Sequence, residues 1–100
     1  MSYDYYHADG WLAPGPTTEG QAALSAALIV PAATSPVLAA WLAGGWTDDP
    51  GGLATALASV EAPEDAAIRR SLDHLRATAE RASEALVLTD GVDLLEEEAV

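Results

Sequence analysis

The sequence predicts a mainly α-helical domain: a small bundle of about four helices, with an extended aromatic N-terminal arm and an acidic C-terminal tail. Two proline-containing helix-start signals and one long amphipathic repeat are the observations behind this prediction. One hundred residues suffice for one small hydrophobic core and not for two. We therefore expect a single domain over residues 1–100, with the arm at 1–16, the helical core at 17–88 and the tail at 89–100.

The predicted arm holds most of the aromatic side chains of the protein. Pro14–Gly15–Pro16 cannot propagate a helix, so this segment is predicted to be extended and to end in a turn. Tyrosine and tryptophan are enriched in protein interfaces because they combine a large contact area with a polar group. The arm therefore either anchors on a partner, for example as an added strand, or folds back to complete the core. The residues concerned are Tyr3, Tyr5, Tyr6 and Trp11.

The first helix is predicted over residues 19–30, because Thr18 and Gln21 form a capping box and Pro31 ends the apolar run that follows. This helix lies within a long stretch, Gly20–Thr47, that carries no charged side chain. The stretch is long enough to cross a bilayer, but two prolines interrupt it and no arginine flanks it. A membrane-associated or assembly subunit is therefore an alternative to the main prediction.

Two shorter helices follow, each opened by a capping residue and a proline. Ser35–Pro36 begins a helix over 36–43, which Gly44–Gly45 ends. Asp49–Pro50 is the same start signal for a helix over 53–60, with a first turn weakened by two glycines. The second of the four helices is apolar on every side, so it must be buried on every side, and one chain of this size has little surface to cover it.

The longest predicted element is a helix over residues 63–88, which opens on Pro63 followed by two acidic residues. Its apolar residues are spaced by four and three positions, which is the pattern of a helix that packs on a neighbour. Because the core of one chain is thin, we predict a homodimer that supplies the missing core volume. The predicted oligomer interface consists of Val37, Leu38, Trp41, Leu42, Leu72, Leu75, Ala79 and Ala82.

Sixteen acidic residues and only four basic ones, all arginine, give the chain a net charge of −12. Such a chain has little means of neutralising a phosphate backbone, so direct binding of DNA or RNA is not expected. All the arginines fall in the predicted 63–88 helix, so the excess acid lies in loops and at the chain ends. Carboxylates concentrated in this way either attract a basic partner or only keep the protein dissolved. The carboxylates assigned to partner binding are Asp48, Asp49, Asp90, Asp93, Glu96, Glu97 and Glu98.

Side chains that carry out catalysis or bind metals are sparse. The absence of cysteine excludes disulfides, thiol nucleophiles and thiolate metal sites. His7 and His74 are the only histidines, and neither has a second histidine at a helical spacing. The serines show no nucleophile elbow, and the glycine pairs match no nucleotide-binding loop. No catalytic residue, metal site or cofactor is therefore predicted, and a small enzyme or ligand-binding protein with a pocket near Trp41, Trp46 and His74 is a further alternative.

These features predict a non-enzymatic interaction module: an acidic adaptor, accessory subunit or inhibitor that binds a basic protein. A narrower form is nucleic-acid mimicry, as in small phage-encoded inhibitors of host defence, in which carboxylates take the place of phosphates. No secretory signal segment is visible at the N-terminus, so the cytoplasm is the expected location.

Overall fold

The computed structural model describes residues 2–90, which form four helices packed on one four-stranded antiparallel sheet. In chain order the elements are β1 (Ser2–His7), β2 (Gly10–Thr17), α1 (Thr18–Ala32), α2 (Pro36–Gly44), β3 (Trp46–Thr47), α3 (Pro50–Ala58), α4 (Ala66–Arg81) and β4 (Leu86–Asp90). The strands lie in the order β2-β1-β4-β3. The prediction of a mainly α-helical bundle is therefore wrong, because both ends of the described chain and a short central segment pair into a sheet.

The predicted N-terminal arm is a β-hairpin that forms half of this sheet. β1 and β2 pair antiparallel, with His7 opposite Gly10 across the turn at Ala8 and Asp9. Gly10 has a positive φ of 110°, which glycine adopts without the steric cost of a side chain. The hairpin turn thus ends on a glycine, and the aromatic segment pairs within the chain and does not extend from it.

The predicted helix over 63–88 is divided into a shorter helix and a strand. α4 begins at Ala66, one residue after its cap. The Asp65 carboxylate caps it by accepting hydrogen bonds from the backbone N–H groups of Ala67 (2.8 Å) and Ile68 (3.1 Å). At the other end, a Leu-Val-Leu-Thr run with alternating β-branched residues leaves the helix and forms β4.

The three shorter helices follow their predicted start signals with small shifts. Thr17 caps α1, one residue before the predicted cap, and its Oγ1 accepts from the N–H of Gly20 at 3.0 Å. The predicted helix over 36–43 is confirmed by α2, which ends at Gly45 in the left-handed conformation (φ 64°). α3 begins at Pro50, directly after its capping aspartate.

The charge-free stretch Gly20–Thr47 contains most of α1, all of α2 and the strand β3, and is not one continuous helix. α1 has 15 residues and α2 has 9, and the chain turns between them so that the two helices pack together. Among residues 2–90, no helix combines the length and the apolar character that crossing a bilayer requires.

The core lies between the helices and one face of the sheet. Tyr5, Ala13 and Leu86 are buried on three neighbouring strands. Tyr5 stacks on Trp41 of α2, with ring centroids 6.3 Å apart and an angle of 26° between the rings. The helices contribute mainly leucines: Leu24, Leu28, Leu38, Leu53, Leu57, Leu72 and Leu75. The sheet therefore supplies core volume that was predicted to come from a second chain.

β2 is an edge strand, and Pro14 alters its hydrogen-bonding capacity. Proline has no backbone N–H, so Pro14 offers no donor at this position. Its carbonyl accepts a hydrogen bond from His74 Nε2 at 2.6 Å, which requires the imidazole proton on Nε2. This bond ties the edge of the sheet to α4.

Gly15 lies in an irregular part of the β1–β2 pair. The register shifts there, so β2 carries an extra residue opposite β1. A Cβ on Gly15 would lie 2.8 Å from the carbonyl carbon and the carbonyl oxygen of Tyr3. The backbones of the two strands therefore approach each other at a distance that only glycine permits.

We expect Gly15→Ala to lower the free energy of unfolding by about 1–3 kcal/mol, because β1 cannot move away without disturbing its pairing on both sides. Gly44→Ala is the control, since a Cβ at Gly44 meets nothing within 4 Å. Alanine at that helical position is expected to stabilise the protein by up to about 1 kcal/mol. Urea unfolding followed by circular dichroism measures both variants, and equal stabilities would contradict the close approach at Gly15.

Candidate functional site

The second face of the sheet carries a row of large side chains. Successive side chains of a strand point to opposite faces, so Tyr6 and Val87 point outward while Tyr5 and Leu86 point toward the core. The pairing register sets one residue from each strand side by side. We call these residues the aromatic row; in strand order they are Trp11, Tyr6, Val87 and Trp46.

The aromatic row is open to solvent in the described part of the chain. Trp11 is 56% exposed and Trp46 is 51% exposed, although both belong to the sheet. Tryptophan is highly buried on average, and contiguous exposed apolar surface on a small protein commonly marks a contact site. The two tryptophans lie on the two edge strands, so they stand at opposite ends of the row.

Asp4 is coupled to one end of the aromatic row. It lies two residues before Tyr6 on β1 and therefore on the same face of the sheet. Its Oδ1 accepts a hydrogen bond from the indole Nε1–H of Trp11 at 3.2 Å. This bond orients the indole and holds a carboxylate at its edge, an arrangement that suits a cationic side chain.

Four exposed carboxylates lie at one end of the sheet, which we call the acidic end. The backbone N–H of Ala8 donates to the carbonyl of Ser83 at 3.2 Å, which joins the β1–β2 turn to the loop before β4. Thr47 pairs with Leu86, so the chain that leaves β3 lies at the same end. The carboxylates of the acidic end are Asp9, Asp48, Asp49 and Glu84.

His7 links the end of β1 to the loop between α4 and β4 at the acidic end. The backbone N–H of Ser83 donates to His7 Nδ1 at 2.9 Å, so Nδ1 carries no proton in this arrangement. In the same loop Glu84 has a positive φ of 65°, which is uncommon for a residue with a side chain. The hydrogen bond and the left-handed residue define the path from α4 to β4 and leave the Glu84 side chain exposed.

The positive side chains lie on the helix side of the molecule. All the arginines belong to α4: Arg69, Arg70, Arg76 and Arg81. Arg76 forms an exposed ion pair with Asp73 at 3.7 Å. No strand of residues 2–90 contains arginine or lysine, so the formal charges of the sheet are carboxylates. Arg81 is the arginine nearest in sequence to the acidic end, which keeps an excess of negative charge.

The structure separates the tyrosines and the tryptophan that were predicted to bind a partner. Tyr6 and Trp11 lie in the aromatic row. Tyr5 is buried in the core and also contacts the ring of His74, with 5.9 Å between centroids. Tyr3 is half-buried and lies on the same side of β1 as Tyr5. The alternative of completing the core therefore describes Tyr5, whereas Tyr6 and Trp11 remain available to a partner.

The predicted partner-binding carboxylates fall in three places. Asp48 and Asp49 lie at the acidic end, and Asp49 Oδ1 also caps α3 by accepting from the N–H of Gly52 at 3.0 Å. Asp90 is the last described residue and pairs with Tyr3. The predictions for four further carboxylates lie outside the described residues: Asp93, Glu96, Glu97 and Glu98.

The residues predicted as an oligomer interface lie in or against the core of the single chain. The buried ones are Leu38, Trp41, Leu72, Leu75 and Ala79. The partly buried ones are Val37, Leu42 and Ala82. A homodimer stays a prediction, and it requires a surface that these side chains do not form.

Trp46 and Val87 belong to the site although neither was predicted to bind a partner. Trp46 follows Gly45, whose left-handed conformation turns the chain from α2 into β3. Its place in the aromatic row depends on the pairing of β3 with β4, which is distant in the chain. No local pattern marks either residue as part of one row with Tyr6.

The pocket suggested near Trp41, Trp46 and His74 is not formed as one cavity. Trp41 is buried on the core side of the sheet, and Trp46 lies on the opposite face. His74 lies on α4 and donates to the carbonyl of Pro14. Within the part of the chain that the structure describes, no group of three or more histidine or carboxylate side chains is arranged to hold a metal ion.

The function is therefore inferred from the aromatic row and the acidic end. Comparison with protein-family models, with curated proteins and with solved structures finds no match to this chain.

Proposed function

We propose that this chain is a non-enzymatic interaction module whose open sheet face binds a basic segment of a protein partner. The aromatic row is the observation that carries the proposal: two half-exposed tryptophans, a tyrosine and a valine lie in register across all four strands. The acidic end and the lack of basic residues in the strands support a cationic partner over an acidic one.

Arginine is the partner side chain that this surface suits best. A guanidinium stacks flat on indole and phenol rings, and each exposed contact of this kind contributes about 0.5–1 kcal/mol. The Asp4 carboxylate beside Trp11 can pair with the same guanidinium. The acidic end raises the rate at which a basic partner arrives, while the aromatic row selects where it binds.

The length of the aromatic row indicates the spacing of the partner's cations. Neighbouring strands lie about 4.8 Å apart, so three steps separate Trp11 from Trp46 by about 14 Å. An extended peptide advances by about 3.4 Å per residue, so side chains four positions apart are also about 14 Å apart and on one face. The row therefore fits an extended segment with arginines at positions i and i+4.

The test is a titration of the chain with a short peptide that carries two arginines four positions apart, followed by isothermal titration calorimetry and, for the wild type, by tryptophan fluorescence as well. Binding is expected to change the emission of Trp11 and Trp46 and to weaken as salt is added. Trp11→Ala and Trp46→Ala are each expected to weaken binding about 2- to 5-fold, and the double variant about tenfold, because each removes one cation–π contact. A peptide of the same composition with adjacent arginines is expected to bind more weakly.

Matched charge variants separate the site from general attraction between acid and base. Asp9→Asn with Asp48→Asn neutralises two carboxylates of the acidic end and is expected to weaken binding. Asp73→Asn with Glu80→Gln neutralises two exposed carboxylates of α4 and is expected to leave binding unchanged. Equal losses in the two pairs, or tryptophan variants that bind like the wild type, would contradict the proposed site.

Nucleic-acid mimicry stays a narrower proposal within this one. It requires carboxylates spaced like phosphates along one folded face, whereas Asp4 and the acidic end flank the aromatic row. A partner held by mimicry is displaced by duplex DNA, because both occupy its phosphate-binding surface. Competition by duplex DNA against the captured partner therefore tests this form separately from the peptide titration.

A further inference from the structure

A groove lies between the last residues of β2 and the exposed side of α4, and we call it the β2–α4 groove. Its volume is about 500 Å³, which is within the range of about 300–1,000 Å³ that is usual for small-molecule sites. Pro14 and Pro16 line it from β2, and Ala67 and Arg70 line it from α4. The groove is therefore on the helix side of the molecule, where the arginines lie.

The charge in the β2–α4 groove is opposite to that of the protein. The chain has sixteen acidic residues and four arginines, yet within residues 2–90 Arg70 is the one charged residue of the lining. Arg70 is exposed, and it forms no ion pair in the described part of the chain, where Arg76 is the arginine that pairs with Asp73. Its guanidinium is therefore available to an anion that enters the groove.

Two hydroxyl groups lie in the same lining. Thr17 Oγ1 accepts a hydrogen bond from the backbone N–H of Gly20 at 3.0 Å, so the hydroxyl proton of Thr17 remains for another acceptor. The hydroxyl of Ser71 forms no hydrogen bond among the described residues. Glu19, in the first turn of α1, is exposed and does not belong to the lining. The side chains around Arg70 can therefore donate to an anion, and none of them is a carboxylate.

Contacts within the chain fix the shape of the β2–α4 groove. His74, which also lines it, donates from Nε2 to the carbonyl of Pro14 at 2.6 Å. The ring of His74 contacts Tyr5 of the core, with 5.9 Å between centroids. Each proline of the wall has a fixed φ. A ligand therefore meets walls that are already in place, which lowers the entropic cost of binding.

We propose that the β2–α4 groove binds a small organic acid with one carboxylate and an apolar body. A guanidinium is planar and pairs with a carboxylate through two parallel hydrogen bonds, and Thr17 and Ser71 can donate to the lone pairs that remain. The proline and alanine walls offer apolar surface to the rest of the ligand. The inference does not depend on the proposed function, because the aromatic row lies on the other face of the sheet.

The net charge of the protein favours a ligand with a single negative charge. Repulsion from a net charge of −12 increases in proportion to the charge of the ligand, whereas the groove supplies one guanidinium. A polyphosphate or a nucleic acid therefore gains repulsion without gaining a second cationic partner. A monocarboxylate gains the whole of the attraction to Arg70 at the smallest repulsive cost.

The acidic end is too far from the groove to cancel this attraction. β2 begins at Gly10, next to the acidic end, and Pro14 lies four residues further along the strand. At about 3.4 Å per residue this separation is about 14 Å, which exceeds the screening length of about 8 Å at physiological ionic strength. The field of the acidic end is therefore largely screened at the groove.

Titration with hydrocinnamate, followed by heteronuclear NMR of the labelled chain, tests the site. The dissociation constant is expected to be about 1 mM, and the amide signals that shift are expected to include those of Gly15, Thr17, Gly20 and Ser71. Hydrocinnamide has the same shape without the charge, and acetate has the charge without the apolar body. Each is expected to bind at least about tenfold more weakly than hydrocinnamate.

The ligand series also gives results that would overturn the proposal. These are an amide that binds as tightly as the carboxylate, inorganic phosphate that binds more tightly than hydrocinnamate, and shifts that are absent or confined to the aromatic row. None of these results bears on the arginine-peptide titration, so the two sites are tested separately.

Matched arginine variants test the assignment to Arg70. Arg70→Gln is expected to weaken hydrocinnamate binding about tenfold, and Arg70→Lys, which keeps the charge but not the planar pairing, about threefold. Arg69→Gln removes the same charge one residue earlier, from a side chain that donates to the carbonyl of Pro63 and does not line the groove. It is expected to change binding less than twofold, as judged on variants that melt like the wild type. Equal losses in the two glutamine variants, or no loss in Arg70→Gln, would overturn the proposal.

Discussion

Trp41→Ala is expected to lower the free energy of unfolding of the domain by about 3–5 kcal/mol, which is a large part of its stability. Trp41 is 2% exposed, and its ring stacks on Tyr5 between α2 and the sheet. Its removal leaves a cavity that the surrounding side chains fill only in part. A domain of this size has about 5–15 kcal/mol in total, so the variant is expected to lie close to unfolding.

Trp46→Ala is the matched control, because it removes the same side chain from the open face of the sheet. We expect it to lower the free energy of unfolding by less than about 1 kcal/mol, since the indole is already half in solvent. Urea unfolding followed by far-ultraviolet circular dichroism measures both variants without depending on tryptophan emission. Equal losses of stability would contradict the placement of Trp41 in the core and Trp46 outside it.

The protein is expected to lose stability at alkaline pH through Tyr5. Burial raises the pKa of the Tyr5 phenol, because the phenolate would lose its hydration in the core. In the unfolded chain the phenol ionises near its ordinary pKa of 10.0, whereas the folded state keeps the proton. The contribution of the buried Tyr5 phenol to the free energy of unfolding is therefore fully present below pH 10. Above pH 10 this contribution falls by about 1.4 kcal/mol per pH unit.

Tyr5→Phe tests this origin of the alkaline loss. The variant keeps an aromatic ring in the core but has no proton to release, so its stability is expected to fall less between pH 10 and higher pH. Tyr6→Phe, on the outward side of the same strand, retains Tyr5 and is expected to keep the wild-type loss. Urea unfolding at a series of pH values gives the comparison. An identical pH dependence of Tyr5→Phe and the wild type would contradict the argument.

Helices with local signals could be predicted from the sequence. Ser35–Pro36 and Gly45 bound α2 because a cap and a left-handed glycine act over a few residues. In α4, Leu72, Leu75 and Ala79 are buried as their spacing indicates, since charged residues occupy the other faces. Apolar spacing and caps therefore predict the helices and their buried faces. They do not predict the sheet against which the helices pack.

The sheet could not be derived in the same way because its pairing is non-local. Tyr5 lies between Ala13 and Leu88, which come from opposite ends of the described chain. Leu86 continues the helical spacing of α4 and also fits a strand, since either element buries it. α4 ends before Leu86, and the chain turns at Glu84. Glutamate is a good helix former, so its presence does not predict the end of a helix.

The candidate site was predicted in part, for a related reason. Tyr6 and Trp11 were identified by residue type, because tyrosine and tryptophan are common in interfaces. Which of the tyrosines faces outward depends on strand pairing, and so does the arrival of Trp46 beside Val87. The sequence therefore indicates the kinds of side chain that form the surface. It does not indicate which of these residues lie together on it.

The bond between His74 and Pro14 affects how the molecule behaves in concentrated solution. A sheet margin seeds cross-β fibrils by presenting successive N–H and C=O groups to an incoming chain. Pro14 has no N–H, and its C=O already accepts a hydrogen bond from His74. Pro16 lacks a second N–H on the same strand. The opposite margin, β3, is only two residues long. β2 therefore offers an incoming chain few consecutive backbone groups, although its Trp11 side chain is exposed.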